Sequence, residues 1–341
     1  MIFPEYLKIG DTVGVTAVSD GVGDPLDKVR FEHAKQTLAD KGVDVWFTND
    51  VFQVEHQGRS ASGIQRAEEF NGLLNNEKVS TIISAKGGNF LNEMLPYVDF
   101  EKLVAHPRWF QGFSDNTCLT HILTTKYDIA SVYGSNFSEF GMENWHESVK
   151  NNFALLSGEK IVQKSFSKYQ DGFGDRITGL EGYSEDKDVC WKLDDNTLKK
   201  TNHIEVSGRL IGGCLDVLLF LQGTHYDGTE QFLEKYKEDG IIWYLESFET
   251  NAENMMMYMW KLKELGWFKY TKAMMFGREL FYRASMETSY EEACMYALGS
   301  LDIPVVFGCD FGHVGPRFTM INGAKATLKV DGKKGELSYD S

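Results

Sequence analysis

The chain has 341 residues, of which 42% are hydrophobic and 13% aromatic, enough to bury a large core in two domains. Its formal charge of −15 is spread along the sequence, which argues against a general binder of nucleic acids or anionic membranes. Five scattered cysteines without a C-x-x-C spacing, no signal-peptide pattern and no apolar stretch of membrane-spanning length predict a reduced, cytoplasmic protein.

The N-terminal part of the chain alternates between predicted strands and helices. The strands are "DTVGVTAVS", "VDVWFT", "VSTIISA" and "RWFQGF", and the helices are "PLDKVRFEHAKQTLADKG", "SGIQRAEEFNGLLNN" and a short one around "FLNEMLPYV". This alternation predicts a doubly wound α/β domain with a mainly parallel sheet. Ligands of such sheets bind beyond the carboxyl ends of the strands.

Three regions are expected along the chain. Residues 1–160 form a Rossmann-like α/β domain. The periodicity fades in residues 161–205, which predicts a linker and a substrate loop. Residues 206–341 resume with strands such as "GIIWYLE" and helices such as "NAENMMMYMWKLKELG", and predict a smaller C-terminal α/β domain with short strands.

Ser114 stands in "GFSDN", between the aromatic end of a predicted strand and the polar start of a predicted helix. Gly112 permits a tight turn that would lift the serine above the sheet, as in G-x-S-x-G nucleophile motifs, although Asn116 replaces the last glycine. On the pattern alone, a helix N-cap is the more common role of such a serine. The pattern therefore leaves a nucleophile and a cap as alternatives.

Two further reactive side chains follow predicted strands in the second half of the chain. Glu246 ends the apolar run of "IIWYLESFE" and is placed to orient a histidine, with a helix-start acid or a surface ion pair as the alternative. His313 lies in "VVFGCDFGHVGPRFTM", framed by three glycines and Pro316. This framing predicts a loop shaped to present the imidazole, and a buried structural histidine is the alternative.

Gly87 and Gly88 follow a predicted strand in "SAKGGNF", where backbone N–H groups can face an anion. The stretch lacks the phosphate-binding spacings G-x-x-x-x-G-K-[ST] and G-x-G-x-x-G. An oxyanion hole fits at least as well, with a second N–H from Asp115, and an ordinary turn is the alternative. The eight histidines show no metal-ligand spacing, so no metal is expected.

Seven stretches, taken together in chain order, resemble one family of serine peptidases. They are "LKIGDTVGVTA", "GRSASGIQRAEEFNGLL", "SAKGGNFLNEMLPYVDF", "GFSDNTCL", "GRLIGGCLDVLLFLQGT", "YLESFE" and "GHVGPRFTMINGAKATL". The family includes the LD-carboxypeptidases of murein recycling and the microcin C self-immunity peptidases. The resemblance implies a Ser-His-Glu triad without a metal or organic cofactor. Ser114 would be the nucleophile, His313 the general base and then acid, and Glu246 the group that orients the imidazole.

The resemblance also implies which groups bind the substrate. Backbone N–H groups of Asp115 and of Gly88 or Gly87 would stabilise the oxyanion. Asn89 and Trp191 would contact the substrate, with Trp191 stacking on a nucleobase from the 161–205 loop, as a loop aromatic does in immunity-type members. The alternative for Trp191 is packing of the linker against a domain.

The branch of the family decides the expected substrate. The chain is long for a carboxypeptidase of this family, and the extra length falls before "SGRLIGGC", so the immunity branch is favoured. Its reaction is hydrolysis of the amide that joins a peptidyl or aminoacyl group to an adenylate. The first alternative is an LD-carboxypeptidase that releases terminal D-alanine from murein tetrapeptides.

Two alternatives lie outside this family, namely an esterase of the α/β-hydrolase kind and a non-catalytic peptide- or nucleotide-binding protein. The expected partner is a small peptide, aminoacyl-nucleotide or muropeptide substrate, with neither nucleic acid nor membrane. A cytoplasmic homodimer is the expected assembly.

Overall fold

Five parallel strands and five helices alternate over the first half of the chain. In this computed structural model, which describes residues 1–340, the strands are β1 (Thr12–Thr16), β2 (Asp44–Phe47), β3 (Val79–Ser84), β4 (Trp109–Gln111) and β5 (Ser131–Tyr133). The helices are α1 (Pro25–Asp40), α2 (Gly63–Leu74), α3 (Phe100–Ala105), α4 (Thr117–Thr125) and α5 (Glu147–Leu156). The strands lie in the order β5-β4-β3-β1-β2 and are parallel, which confirms the predicted parallel sheet.

Helices cover both faces of this first sheet. Adjacent residues of β3 point to opposite sides, so that Ile83 joins the core cluster that contains Phe31 of α1, and Ile82 joins the cluster that contains Phe70 of α2. The start of α2 is fixed locally, because Ser62 forms a capping box with the residue three positions later. The inner strands β1, β3 and β4 are buried on both faces, which explains why they contain no charged residue.

The short helix predicted around "FLNEMLPYV" is instead a pair of 3₁₀ turns, Leu91–Glu93 and Leu95–Tyr97. Pro96 lacks the backbone N–H that an α-helix needs in its interior, which accounts for the break. Further 3₁₀ turns cover His56–Gly58, Ser114–Asn116 and Phe137–Gly141.

A second, mixed sheet of eight strands occupies the rest of the chain. The remaining strands are β6 (Val162–Lys164), β7 (Lys168–Tyr169), β8 (Lys187–Asp188), β9 (Lys192–Leu193), β10 (His203–Cys214), β11 (Ile241–Glu246), β12 (Thr250–Asn251), β13 (Thr271–Gly277), β14 (Tyr282–Arg283), β15 (Val305–Cys309), β16 (Met320–Asn322), β17 (Lys325–Asp331) and β18 (Lys334–Tyr339). The remaining helices are α6 (Asp195–Lys200), α7 (Leu215–Leu221), α8 (Thr229–Tyr236), α9 (Ala252–Glu264) and α10 (Tyr290–Leu298). The sheet order is β6-β18-β17-β10-β11-β13-β15-β9.

The α/β class, with a mainly parallel first sheet and a second sheet in the C-terminal part of the chain, is as predicted, and the second sheet is a large mixed one. Strand β10 alone spans twelve residues, and the sheet has eight strands against six in the first. Two strands of the 161–205 segment contribute to this size, since β6 pairs with β18 and β9 pairs with β15 at opposite edges. In return, β16 pairs antiparallel with β5 and becomes the sixth strand of the first sheet. No helix within residues 1–340 is long and apolar enough to cross a bilayer.

In the core, His121 contacts residues from the second half of the chain. It lies on α4, is fully buried, and its Nε2 is 2.8 Å from Oγ1 of Thr229 on α8, while its ring stacks on Trp267 at 5.7 Å. Burial lowers the pKa of His121 to about 4, only partly opposed by the charge of Asp227.

This burial predicts a loss of stability in mild acid. The pKa of His121 is lower in the folded than in the unfolded protein, so its stabilising effect is complete above about pH 6.5 and is lost as the pH falls toward 4. Between pH 7 and 4.5 this one group should lower the free energy of unfolding by about 2–3 kcal/mol. Urea unfolding of wild type and His121→Gln at both pH values measures the difference, and an equal pH dependence in the two proteins would contradict it.

Candidate active site

Ser114 occupies a strained turn between β4 and α4. Its φ of 67° lies in the left-handed region, which non-glycine residues rarely adopt. Such strain is typical of a strand-to-helix turn that exposes a nucleophile. Helix α4 begins at Thr117 and takes no cap bond from Ser114, whose Oγ faces His313 instead. The N-cap alternative for Ser114 is therefore wrong.

Ser114, His313 and Glu246 form a continuous chain of hydrogen bonds. The Oγ of Ser114 is 2.8 Å from Nε2 of His313, and Nδ1 of His313 is 2.7 Å from Oε2 of Glu246. The serine follows a strand of the first sheet, whereas Glu246 ends β11 and His313 follows β15 in the second. With Nδ1 protonated toward the carboxylate, Nε2 is left to accept the serine proton.

The carboxylate of Glu246 is buried but remains ionised. Burial by itself raises its pKa, yet the charge and hydrogen bond of His313 and the hydrogen bond from Tyr133 together hold the pKa of Glu246 below its ordinary value. Gly312 makes this close packing possible, since a Cβ there would lie 2.8 Å from Cγ of Glu246 and its φ is +98°. A buried negative charge at this point is suited to stabilise an imidazolium.

Two phenylalanine rings hold the imidazole of His313 in place. Phe248 lies 4.9 Å from it and Phe113 lies 5.3 Å away, measured between ring centroids. His313 is 9% exposed, so one edge still reaches the cleft while the rings exclude water from most of its surface. The imidazole is thus oriented by packing as well as by Glu246.

The glycine-rich loop after β3 runs against the serine. A Cβ on Gly87 would lie 3.0 Å from Oγ of Ser114, so this position needs glycine for the close approach. Within residues 1–340, the N–H groups of Gly87, Gly88 and Asp115 find no hydrogen-bond acceptor. Free backbone donors on the loop that approaches Ser114 and on the residue that follows it suit an oxyanion site.

The side chains of the two residues after Ser114 hold this loop in place, a role that their sequence context does not predict. Oδ2 of Asp115 accepts hydrogen bonds from Oγ of Ser19 at 2.5 Å and from the N–H of Leu91 at 2.9 Å. Nδ2 of Asn116 donates to the carbonyl of Lys86 at 3.2 Å. Asn116 stands where G-x-S-x-G has glycine, and its side chain holds the loop beside Ser114.

Trp191 does not lie at this site, which corrects the prediction that it stacks on a ligand. Its side chain is fully buried, and its Nε1 donates to Oδ2 of Asp310 at 2.7 Å. The stretch around Trp191 leads into edge strand β9, so its ring packs into the second core rather than into a loop over the cleft. Asn89, by contrast, is exposed and lines the cleft.

A cleft of about 1160 Å³ is lined by Ser114, His313 and the loop with Gly87 and Gly88. The 161–205 segment does reach it, through a different aromatic residue from the one predicted. Phe173 is 67% exposed, lines the cleft and lies 6.0 Å from Phe281, which in turn contacts Phe248 beside the imidazole. No periodic pattern surrounds Phe173 in the sequence, and this explains why it was missed.

One group of metal-type ligands occurs among residues 1–340. Cys214, Glu246 and His313 offer atoms that all lie within 4.8 Å of one another. Burial raises the pKa of the Cys214 thiol well above its usual value and keeps it protonated, and its Sγ donates to Asp216 at 3.4 Å. A metal here would have to displace the hydrogen bond between Glu246 and His313, so the group fits a hydrogen-bonded chain better than a metal centre.

Comparisons with known proteins relate the chain to one family. Residues 13–134 match the LD-carboxypeptidase N-terminal domain and residues 207–328 match the LD-carboxypeptidase C-terminal domain, together more than half of the chain. The chain is 27% identical over 338 residues to the microcin C7 self-immunity protein MccF of Escherichia coli, covering 96% of this chain and 93% of that protein. It is 25% identical over 339 residues to a protein of Vibrio cholerae described as a carboxypeptidase, covering 97% and 96%.

Solved structures share the fold. The crystal structure of an MccF-like protein from Bacillus anthracis has a TM-score of 0.80 at 23% identity and covers 99% of both chains. MccF in complex with aspartyl sulfamoyl adenosine has a TM-score of 0.79 at 22% identity and covers 100% of this chain and 99% of its own. At these identities the likeness establishes the two-sheet architecture.

Proposed function

The chain belongs to the LD-carboxypeptidase family of serine peptidases, and we propose on that premise that it hydrolyses an amide with Ser114, His313 and Glu246 as its triad. The observation that carries the proposal is the unbroken hydrogen-bond chain from the serine to the buried carboxylate at the base of the cleft. Family membership also removes the α/β-hydrolase esterase and the non-catalytic binding protein as readings of the sequence.

The geometry supports a two-step acyl transfer. Oγ of Ser114 attacks the amide carbonyl while its proton passes to Nε2 of His313, and Glu246 stabilises the resulting imidazolium. The carbonyl oxygen becomes an oxyanion that accepts hydrogen bonds from the N–H groups of Asp115 and of Gly87 or Gly88.

The tetrahedral intermediate then collapses. His313 returns the proton to the leaving amine, the C–N bond breaks, and the acyl group remains as an ester on Ser114. Water, deprotonated by His313, attacks this ester and releases the acid with a free serine. Each of these steps uses groups that the chain itself supplies.

For the substrate, we propose an aminoacyl or peptidyl adenylate of the microcin C type. The support is an aromatic side chain that lines the cleft, because Phe173 presents an exposed ring that suits stacking on a nucleobase and is backed by the ring of Phe281. The relative MccF has been solved with aspartyl sulfamoyl adenosine, an aminoacyl nucleoside of this class.

A second candidate is the removal of terminal D-alanine from a murein tetrapeptide. Such a substrate carries a free carboxylate next to the scissile bond and needs a cation there. Lys86 is the observation in favour, because it precedes Gly87, its side chain is 42% exposed, and its Nζ is only loosely paired, 3.7 Å from Oδ2 of Asp27.

Two substitutions separate these substrates. Phe173→Ala should raise the KM for an aminoacyl sulfamoyl adenosine about tenfold through lost stacking. Lys86→Gln should raise the KM for a D-alanine tetrapeptide about tenfold if that is the substrate. Steady-state kinetics with both compounds, with Tyr296→Ala as an exposed aromatic control outside the cleft, measures each effect. If the protein releases D-alanine from the tetrapeptide and leaves the aminoacyl sulfamoyl adenosine intact, the leading proposal is refuted.

A further inference from the structure

Tyr133 connects two members of the proposed triad, although nothing in its sequence context marks it. The residue ends β5 of the first sheet, and its ring is 1% exposed. Its hydroxyl donates to Oε1 of Glu246, the carboxylate oxygen that His313 does not use, and accepts the backbone N–H of Ser114 at 3.3 Å. One oxygen atom therefore touches both the acid and the nucleophile's backbone.

We propose that Tyr133 is a positioning residue whose hydroxyl fixes the Glu246 carboxylate and the strained backbone of Ser114 relative to each other. This inference rests on the proposed function, because it assigns Tyr133 a task within that triad. Tyr133 acts through its two neighbours and does not contact the reacting atoms.

The buried carboxylate of Glu246 needs the Tyr133 hydroxyl as a hydrogen-bond donor. Glu246 is 1% exposed, and its Oε1 faces the core, where an ionised oxygen without a donor is costly. Burial, followed by the charge of Glu246, raises the pKa of Tyr133 well above its usual value, so the phenol stays protonated and remains a donor. Without it, the carboxylate would keep only His313 and the weaker thiol donor of Cys214, and its orientation would be less restricted.

The backbone of Ser114 also depends on the Tyr133 hydroxyl. Ser114 has φ 67°, a conformation that persists only where neighbouring groups hold it. The Tyr133 hydroxyl is the acceptor that the Ser114 N–H finds among residues 1–340. Removing the hydroxyl therefore loosens the turn that aims Oγ at His313.

Tyr133 also lies where segments of the two sheets meet. Ser114 belongs to the first sheet and Glu246 to the second, so their relative placement depends on contacts between the sheets. Tyr133 pairs with Met320 of β16, the strand that follows the His313 loop back to the first sheet. Tyr133 thus lies where all three triad segments converge.

The test compares two tyrosines in the same core. Tyr133→Phe removes the hydroxyl that touches the triad, whereas Tyr244→Phe removes one that donates to Oδ1 of Asn322 at 2.7 Å, with the two rings only 5.7 Å apart. Tyr133→Phe should lower kcat about 10- to 100-fold with little change in KM, as expected for a lost hydrogen bond to a charged group. Tyr244→Phe should keep wild-type kcat even if it unfolds at a lower temperature.

The pH profile gives a readout that a packing role would not change. Loss of the Tyr133 hydrogen bond makes the Glu246 carboxylate more basic, which stabilises the protonated form of the hydrogen-bonded Glu246–His313 pair. The acid limb of kcat/KM reports protonation of this pair, so it should move to higher pH in Tyr133→Phe and stay in place in Tyr244→Phe. If Tyr133→Phe does not fold, 3-fluorotyrosine at position 133 keeps the shape and strengthens the donor, and the acid limb should then move to lower pH.

Ser114→Ala, assayed in parallel, tests the proposed function separately from the role of Tyr133. Turnover by Ser114→Ala would refute the proposed function. An inactive Ser114→Ala beside a Tyr133→Phe protein with wild-type kcat and an unmoved acid limb would overturn only the role of Tyr133. An unmoved acid limb in the fluorotyrosine protein would overturn it equally.

Discussion

Ser114→Ala should lose about 10⁴- to 10⁶-fold in kcat, because the variant has no group that can form the acyl-enzyme. The remaining rate would come from the oxyanion donors and from substrate binding, which the substitution leaves in place. Mass-spectrometric progress curves at high enzyme concentration measure a loss of this size.

The matched control for Ser114→Ala is Ser207→Ala, whose hydroxyl is 2.7 Å from that of Thr327, far from the cleft. It should turn over substrate at the wild-type rate. Thermal unfolding of Ser114→Ala should also stay within a few degrees of wild type, because the substitution removes one hydroxyl at the edge of the cleft and no core contact. Retention of even a tenth of wild-type turnover in Ser114→Ala would contradict the assignment of the nucleophile.

His313→Ala should reduce kcat nearly as much as Ser114→Ala, since the serine proton then has no acceptor within hydrogen-bond distance. The double variant should be no slower than either single one, because triad members act as a unit. The rings of Phe113 and Phe248 that contact the imidazole would line the vacated space, so added imidazole should restore part of the activity. Titration of the variant with imidazole, and with the same concentrations added to Ser114→Ala, checks this.

The outcome that would contradict the role of His313 is near-wild-type activity of the purified His313→Ala protein. A loss that imidazole restores equally in His313→Ala and Ser114→Ala would also contradict it, because rescue must depend on the serine.

Local pattern was sufficient to predict four of the six strands of the first sheet, β1 to β4, but not β5 and β16. All five residues of β1 are buried and none is charged, and α1 follows the strand with a proline in its first turn and an N-cap at Asp24. Each of these signals lies within a few residues of the element that it specifies, so strand and helix could be assigned without knowledge of distant contacts.

The edges of the second sheet could not be predicted in this way. Strand β9 has two residues and is a strand only because β15, more than a hundred residues later, pairs with it. The same pairing draws Trp191 into the core. A tryptophan in a polar stretch therefore looked like a loop residue, and the burial that makes it structural depends on long-range contacts.

The candidate site divides in a similar manner. Ser114, Glu246 and His313 each follow a predicted strand, and family resemblance placed them together. Tyr133 was missed because its contact with Glu246 spans 113 positions and its flanking sequence is that of an ordinary buried strand. Side chains that support a site from the core carry no local signal that distinguishes them from packing.

The measurement that tests the central claim most directly is a side-by-side hydrolysis assay by mass spectrometry. Wild type and Ser114→Ala each receive an aminoacyl sulfamoyl adenosine and a murein tetrapeptide that ends in D-alanine. We expect wild type to cleave the adenosine conjugate at its amide and Ser114→Ala to cleave neither compound. Equal cleavage by both proteins, or no amide cleavage by wild type, would contradict it.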